Sequence, residues 1–283
     1  MISRVLVINA DDFGLAPGVD RAIVDAHEAG VLPSTSMLVN GAAFAEAATL
    51  ARERVPRLGI GLHLNLVAAR PLAVVPTLTD PRTGQFHPLR EMALRAFAGR
   101  VSAADVRREC DAQLAALRAH GIYPTHLDSH RHAHALPGVL PAVAASASAA
   151  GIRVVRRPLD RPALRDPVAG AKLLLLHAAW RRALGGVHRE DLPLLARAPH
   201  FRGIALQGAP DLEARLLDLL DRLPRGATEL MLHPGYVDDL LASQDPYRLP
   251  REREIAALMS PAVRERLSRG DLTLARFDEL PSG

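Results

Sequence analysis

Apolar runs of strand length alternate with helical patterns along nearly the whole chain, and this alternation limits the fold more than any other feature. Strand patterns stand at 5–9, 36–39, 58–64, 125–129, 152–156, 203–206, 228–232 and 272–277. Helical patterns fill 18–29, 42–54, 138–149, 171–184, 210–223 and 249–258, with a further helix opened by Ser260-Pro261. Ser102 followed by Asp105 reads as a capping-box start to one more, ended by Gly121. Strands joined by helices make a parallel sheet, and seven or eight such units favour a TIM-barrel-like (β/α) barrel, complete or slightly open. A doubly wound sheet is disfavoured because neither a GxGxxG turn nor a GxxxxGK[ST] phosphate loop is present. The whole of 1–283 reads as one α/β domain with excursions at 67–100 and 157–200, too long for tight connections. Arg157, Pro158, Pro162 and Pro167 mark the second, through which a homodimer is expected.

A content of 48% hydrophobic and 23% charged residues is that of a globular chain and excludes a wholly disordered one. The net charge is +4, but basic residues are scattered among acids, so no nucleic-acid partner is expected. The longest apolar run, at 173–180, is broken by His177 and flanked by Lys172 and Arg181, far short of the ~20 residues of a membrane span. The apolar stretch ahead of Asp11 is too short for a secretory signal, which points to the cytoplasm. Cys110 is the sole cysteine and reads as a buried bystander.

In a parallel barrel the chemistry gathers where the strands end, because the loops that follow converge on one mouth. Asp11 and Asp12 lie just past the first strand and His63 at the end of the third. The stretch HLDSHRHAH at 126–134 lies on and beyond the fourth, Arg156 ends the fifth, and His233 follows the strand at 228–232. Each has a bland alternative: a loop cap for Asp11 and Asp12, a core imidazole for His63, an adventitious surface tract for the histidine cluster. Adjacent strand residues face opposite ways, so Asp11 and Asp12 cannot both grip one ion unless the backbone turns; one could then ligate while the other acts as base or orienter. Alternation sets His126, Asp128 and His130 on one face, with His130 in reach of a metal and Asp128 placed to hold a histidine. His132 and His134 lie further along and suit substrate or solvent contact. An Asp-His-His set leaves metal positions open, as catalysis requires.

The blocks NADDFG at 9–14, STSML at 34–38, GLHLNL at 61–66, THLDSH at 125–130 and ELMLHPGY at 229–236 resemble, in order, those of the YdjC-like carbohydrate deacetylases. This family includes the chitooligosaccharide (diacetylchitobiose) deacetylases. The resemblance implies a TIM-barrel-like fold and one divalent metal ion, Mg2+ or Zn2+, held by Asp12, His63 and His130. It also implies hydrolysis of an N-acetyl group on a small carbohydrate substrate, with Asp11 as general base and His233 as general acid. Arg156 resembles the family's strand-end arginine, and Asp128, His132 and Tyr236 join it as expected substrate-binding or ligand-orienting residues. Arg131 stands where many relatives carry a third histidine. Rival readings are a metal-dependent phosphoesterase or amidohydrolase, which usually opens on a His-x-His pair, a deacetylase acting on a hopanoid-type glycolipid, and a catalytically silent sugar binder. A retaining glycosidase is disfavoured, because its two carboxyls usually come from different strands.

Overall fold

The first strand, β1 (Arg4–Phe13), is buried from Leu6 to Phe13, as a strand covered on both faces must be. In the computed structural model, which describes residues 4–160 and 167–281, β1 is also the centre of the sheet. One edge pairs in parallel along β6 (Gly226–Leu232) from Arg4 to Ala10. The other takes β7 (Thr273–Leu274) at Val5 and Leu6, then β2 (Ser34–Met37) from Asn9 onward. Next outward come β3 (Gly59–Leu64) and β4 (Leu127–Ser129), while β5 (His200–Arg202) lies on the far side of β6.

The result is a curled half-barrel of six parallel strands, β4-β3-β2-β1-β6-β5, surrounded by helices: the expected barrel in its incomplete form. The helix α1 (Pro17–Glu28) buries Val19, Ala22, Ile23 and Ala26, the face its periodicity marks out. Then follow α2 (Phe44–Glu53), α3 (Leu89–Phe97), α4 (Ala103–Ala119), α5 (Leu140–Ala149) and α6 (Pro167–Leu184). The last four are α7 (Leu212–Asp221), α8 (Asp239–Gln244), α9 (Leu249–Leu258) and α10 (Pro261–Leu267), the last capped by Ser260 through its bond from the Val263 amide. Among the described residues no helix is long and apolar enough to cross a membrane.

Three expectations are corrected. The strand at 152–156 shrinks to a single parallel bridge between Leu127 and Val155. Its outer edge is used by a 3-10 helix, Arg189–Leu195, instead of a strand, since the Val155 amide donates to the Leu194 carbonyl at 2.9 Å. The strand expected at 203–206 lies at His200–Arg202. Gly203, at φ 136°, breaks the extension, and the Gly203 and Ala205 amides donate to Asp160, coiling 204–206 into a 3-10 turn. The Ser102 capping box does not form, because Asp105 is engaged elsewhere.

Asp105, Glu109 and Gln113 recur at helical spacing on α4 and are all buried, which an amphipathic pattern alone would not predict. Their partners come from the excursion at 67–100 and from Asn65 just ahead of it. Glu109 accepts from the amides of Leu72 and Ala73 at 2.9–3.1 Å, Asp105 from the amide and hydroxyl of Thr77, and Gln113 bonds both ways with the Asn65 backbone. Backbone groups with no sheet to join are satisfied by carboxylates instead. Of the second excursion, Pro162 lies outside the described residues.

Candidate active site

Between Ala10 and Phe13 the pairing of β1 with β2 shifts register, and Asp12 adopts a left-handed φ of 75°. Regular alternation would send consecutive carboxylates to opposite faces, but this turned backbone lets Asp11 and Asp12 line one pocket. The turn is held by the Leu15 amide on the Asp12 carbonyl at 3.0 Å and by the Gly14 amide on Asp20 at 2.6 Å. His130, His132 and His233 line the same pocket, so residues from β1, the segment after β4 and the end of β6 meet there.

Asp12 Oδ1 stands 3.3 Å from His63 Nε2 and 3.0 Å from His130 Nδ1. These three donor atoms lie within 4.8 Å of one another, close enough to share one ion. The remaining polar atoms of two of them are already occupied. Asp12 Oδ2 accepts from Arg251 Nη2 at 2.6 Å, and His63 Nδ1 donates to Asp128 Oδ1 at 2.7 Å. Burial opposes the charge on Asp12, yet Arg251 and His130 hold its carboxyl well below the usual range. Burial likewise opposes charge on His63, but Asp128, Asp11 and Asp12 push it up to about 10. With Asp128 engaging His63 Nδ1, its Nε2 is left facing Asp12, and this Asp-His-His set with oriented outer partners fits a divalent cation.

Beneath this lies a second layer organised by Arg156, which is fully buried. Its guanidinium donates to both oxygens of Asp11 at 2.7 and 2.6 Å and to Glu229 Oε1 at 2.5 Å, and its Nη2 is ion-paired with Asp128 Oδ2 at 2.6 Å. One cation thus ties β1, β4 and β6 together across the inside of the half-barrel. Ser36 on β2 donates to Asp128 at 2.6 Å, and Asn9 bonds both Ser36 and Asp11. His126 sits behind Ser36 at 3.0 Å, its ring stacked on Phe277 and lodged over Gly61, where a Cβ would come within 2.4 Å of it.

Across the pocket, His233 Nε2 is 3.8 Å from Asp11 Oδ2. Its backbone amide donates to Glu254 Oε2 at 2.5 Å, while Glu254 also receives the Tyr247 hydroxyl. Burial pushes the His233 imidazole below its usual pKa, against the pull of Asp11. His132 is buried against the Phe201 ring, its Nδ1 without a hydrogen-bond partner among the described residues, and burial pushes its pKa well below the usual value.

Two expectations fail here. Tyr236 is not brought to the pocket. Beyond Gly235 the chain folds over the start of α1, the Tyr236 amide bonding the Gly18 carbonyl, and its hydroxyl donates to Asp25 at 3.1 Å. His134 touches neither substrate space nor solvent; it is fully buried, bridging Ser129 Oγ at 2.6 Å and the Arg156 carbonyl at 2.9 Å.

Several residues at the pocket carry no signal that the sequence analysis used: Arg251, Asp245 and Tyr247 from the C-terminal quarter, Lys172 and Gln207 from the second excursion and its sequel, and Leu89 from the first. Glu229 had one, a carboxylate inside the apolar strand ELML. Arg251 had none, standing in a helix crowded with charges.

Comparison with known proteins finds a match between residues 5–269 and the family described as YdjC-like protein. A carbohydrate deacetylase of Geobacillus stearothermophilus is 36% identical over 278 residues, covering 98% of both chains. A chitooligosaccharide deacetylase of Salmonella schwarzengrund is 32% identical over 276 residues, 93% of this chain and 94% of the other. A crystal structure from Enterococcus faecalis V583, assigned provisionally to cellobiose-phosphate cleavage, superposes with a TM-score of 0.74 at 28% identity over 98% of each chain.

Proposed function

The chain belongs to the YdjC-like protein family, and on that premise we propose that it is a metal-dependent carbohydrate deacetylase, hydrolysing the N-acetyl group of an amino sugar to acetate and a free amine. One observation carries the reading: Asp12, His63 and His130 converge to within ligand distance of one another, with Asp11 and His233 facing each other beside them.

An acetamide resists hydrolysis because its carbonyl is resonance-stabilised and its amine leaves poorly. A divalent cation, Mg2+ or Zn2+, held by Asp12, His63 and His130 would supply polarisation of the acetyl carbonyl and of the attacking water. Asp11 takes the water's proton as general base, its carboxylate kept in one orientation by the paired bonds from Arg156. His233 delivers a proton from Nε2 to the departing amine, and the 3.8 Å between it and Asp11 lets both act on one reacting carbon. Asp128 holds the His63 ring, Arg251 holds Asp12, and His132 forms the wall beside the substrate.

A glycosidase is not favoured, since Asp11 and Asp12 are neighbours in one turn and Asp12 is held by two histidines and Arg251, an arrangement unlike two carboxyls from different strands flanking a sugar bond. The test is acetate release from N-acetylated mono- and disaccharides, run on chelated and then metal-restored protein. Acetate that disappears on chelation and returns with metal is expected. Phosphate release from phosphate esters with no acetate from any amino sugar overturns the reading.

A further inference from the structure

Tyr247, between α8 and α9, lines the pocket but has no part in the chemistry described so far. Its hydroxyl is already occupied twice, donating to Glu254 Oε1 and accepting from the Gly208 amide at 2.9 Å. Burial and the Glu254 carboxylate push its pKa up, so the hydroxyl keeps its proton. The backbone is tied as firmly: Arg251 Nε donates to the Tyr247 carbonyl at 3.0 Å, and the Tyr247 amide donates to Asp245 Oδ1 at 2.9 Å. What this residue offers the pocket is therefore its ring and not its phenol oxygen. The Arg251 guanidinium lies 5.7 Å from the ring centroid and the His233 imidazole 5.8 Å from it at 69°, yet the side chain stays only half-buried. Among the described residues that line the pocket, Tyr247 is the only phenylalanine, tyrosine or tryptophan.

A sugar ring carries C–H groups on its faces and hydroxyls around its rim. It suits a wall with an aromatic surface for the C–H groups and polar side chains alongside for the hydroxyls. Arg131, Lys172, Gln207 and Asp245 line the same pocket as Tyr247 and supply that polar rim. Glu254 links the wall to the chemistry, because Oε1 takes the Tyr247 hydroxyl while Oε2 takes the His233 amide. We propose that Tyr247 determines specificity, its ring being the platform on which the sugar bearing the acetamide packs, with Glu254 holding that platform at a fixed spacing from His233. This rests on the amino-sugar substrate of the proposed function and names the side chain that recognises it.

Binding of N-acetylglucosamine and diacetylchitobiose is measured by calorimetry on the chelated full-length protein, where turnover is off, alongside KM and kcat for acetate release with Zn2+ or Mg2+ restored. Tyr247→Ala is expected to raise Kd and KM by about tenfold, the size of a lost ring contact, with kcat falling less. Tyr247→Phe keeps the ring and should hold KM within about threefold of wild type. Tyr247→Leu keeps apolar bulk without the ring; it should bind as poorly as the alanine variant, and it carries the test if that variant does not fold. Affinity for the metal ion should be unchanged in all three, since no ligand to it is altered. A merely structural role would weaken metal and sugar together. That result, or a Kd and KM within about twofold of wild type in the folded ringless variants, overturns the inference. Wild-type protein that binds the sugars through Tyr247 but releases no acetate would sink the deacetylase reading and leave the platform standing, whereas acetate release indifferent to Tyr247 would sink the platform alone.

Discussion

Arg156 is the shared counter-charge of three buried carboxylates, and its loss has a definite expected cost. Replacing it with methionine leaves Asp11, Asp128 and Glu229 buried without their shared counter-charge, and breaking such a network typically costs about 3–5 kcal/mol. Urea denaturation should show a loss of that size; a loss below about 1 kcal/mol would mean the three carboxylates shed their charge at little expense. Asp12→Ala is expected to abolish binding of Zn2+ or Mg2+ by calorimetry, because it removes the donor common to both histidines. His233→Ala should keep the metal and lose about two to four orders of magnitude in turnover. Full activity in His233→Ala would end its assignment as the acid. Asp11, Asp12, His63, His130 and His233 were legible because each sits where an apolar strand pattern stops, a place where a polar residue has no packing reason to be. Arg251 and Gln207 were not, since a charged or amide residue on a helix or loop is ordinarily just solvated.

At the scale of elements, the polar face of α4 shows how an excursion without a sheet of its own is held. Glu109 is buried and accepts from two backbone amides of the 67–100 segment. Glu109→Ala strands those donors, so a loss of about 2–3 kcal/mol is expected, with faster hydrogen exchange at Leu72 and Ala73 than elsewhere. Unchanged exchange there would show that other contacts fix the segment. The same feature explains the missed capping box: Ser102 and Asp105 have the right spacing, but Thr77 takes the Asp105 carboxylate. Element types were legible from periodicity. The ends of β5 and the loss of the strand at 152–156 were not, because strand extent depends on whether a partner edge is available.

For the whole molecule, buried neutral histidines set the response to acid. Burial pushes His126 down to about 3 and His134 down to about 4, whereas both titrate near 6.5 when unfolded. Between those values the unfolded chain binds more protons than the folded one, so these residues make stability fall as pH drops below about 6.5. His63 opposes them. Raised to about 10, it contributes fully below pH 6.5 in the metal-free protein and loses that contribution as pH climbs toward 10. The melting temperature of chelated protein should therefore decline from pH 6.5 to 4, and His126→Gln should flatten the decline; an unaltered slope would acquit His126. By itself the sequence determined the parallel α/β architecture, the buried face of α1 and the strand-end positions of the reactive residues, because periodicity records burial among near neighbours. Only the tertiary structure decided that Asp12 turns to a φ of 75°, that Arg251 grips it from 239 residues away, and that Tyr236 faces α1 and not the pocket. Those outcomes depend on which distant groups are left needing a partner once the chain has closed, and no local pattern encodes that.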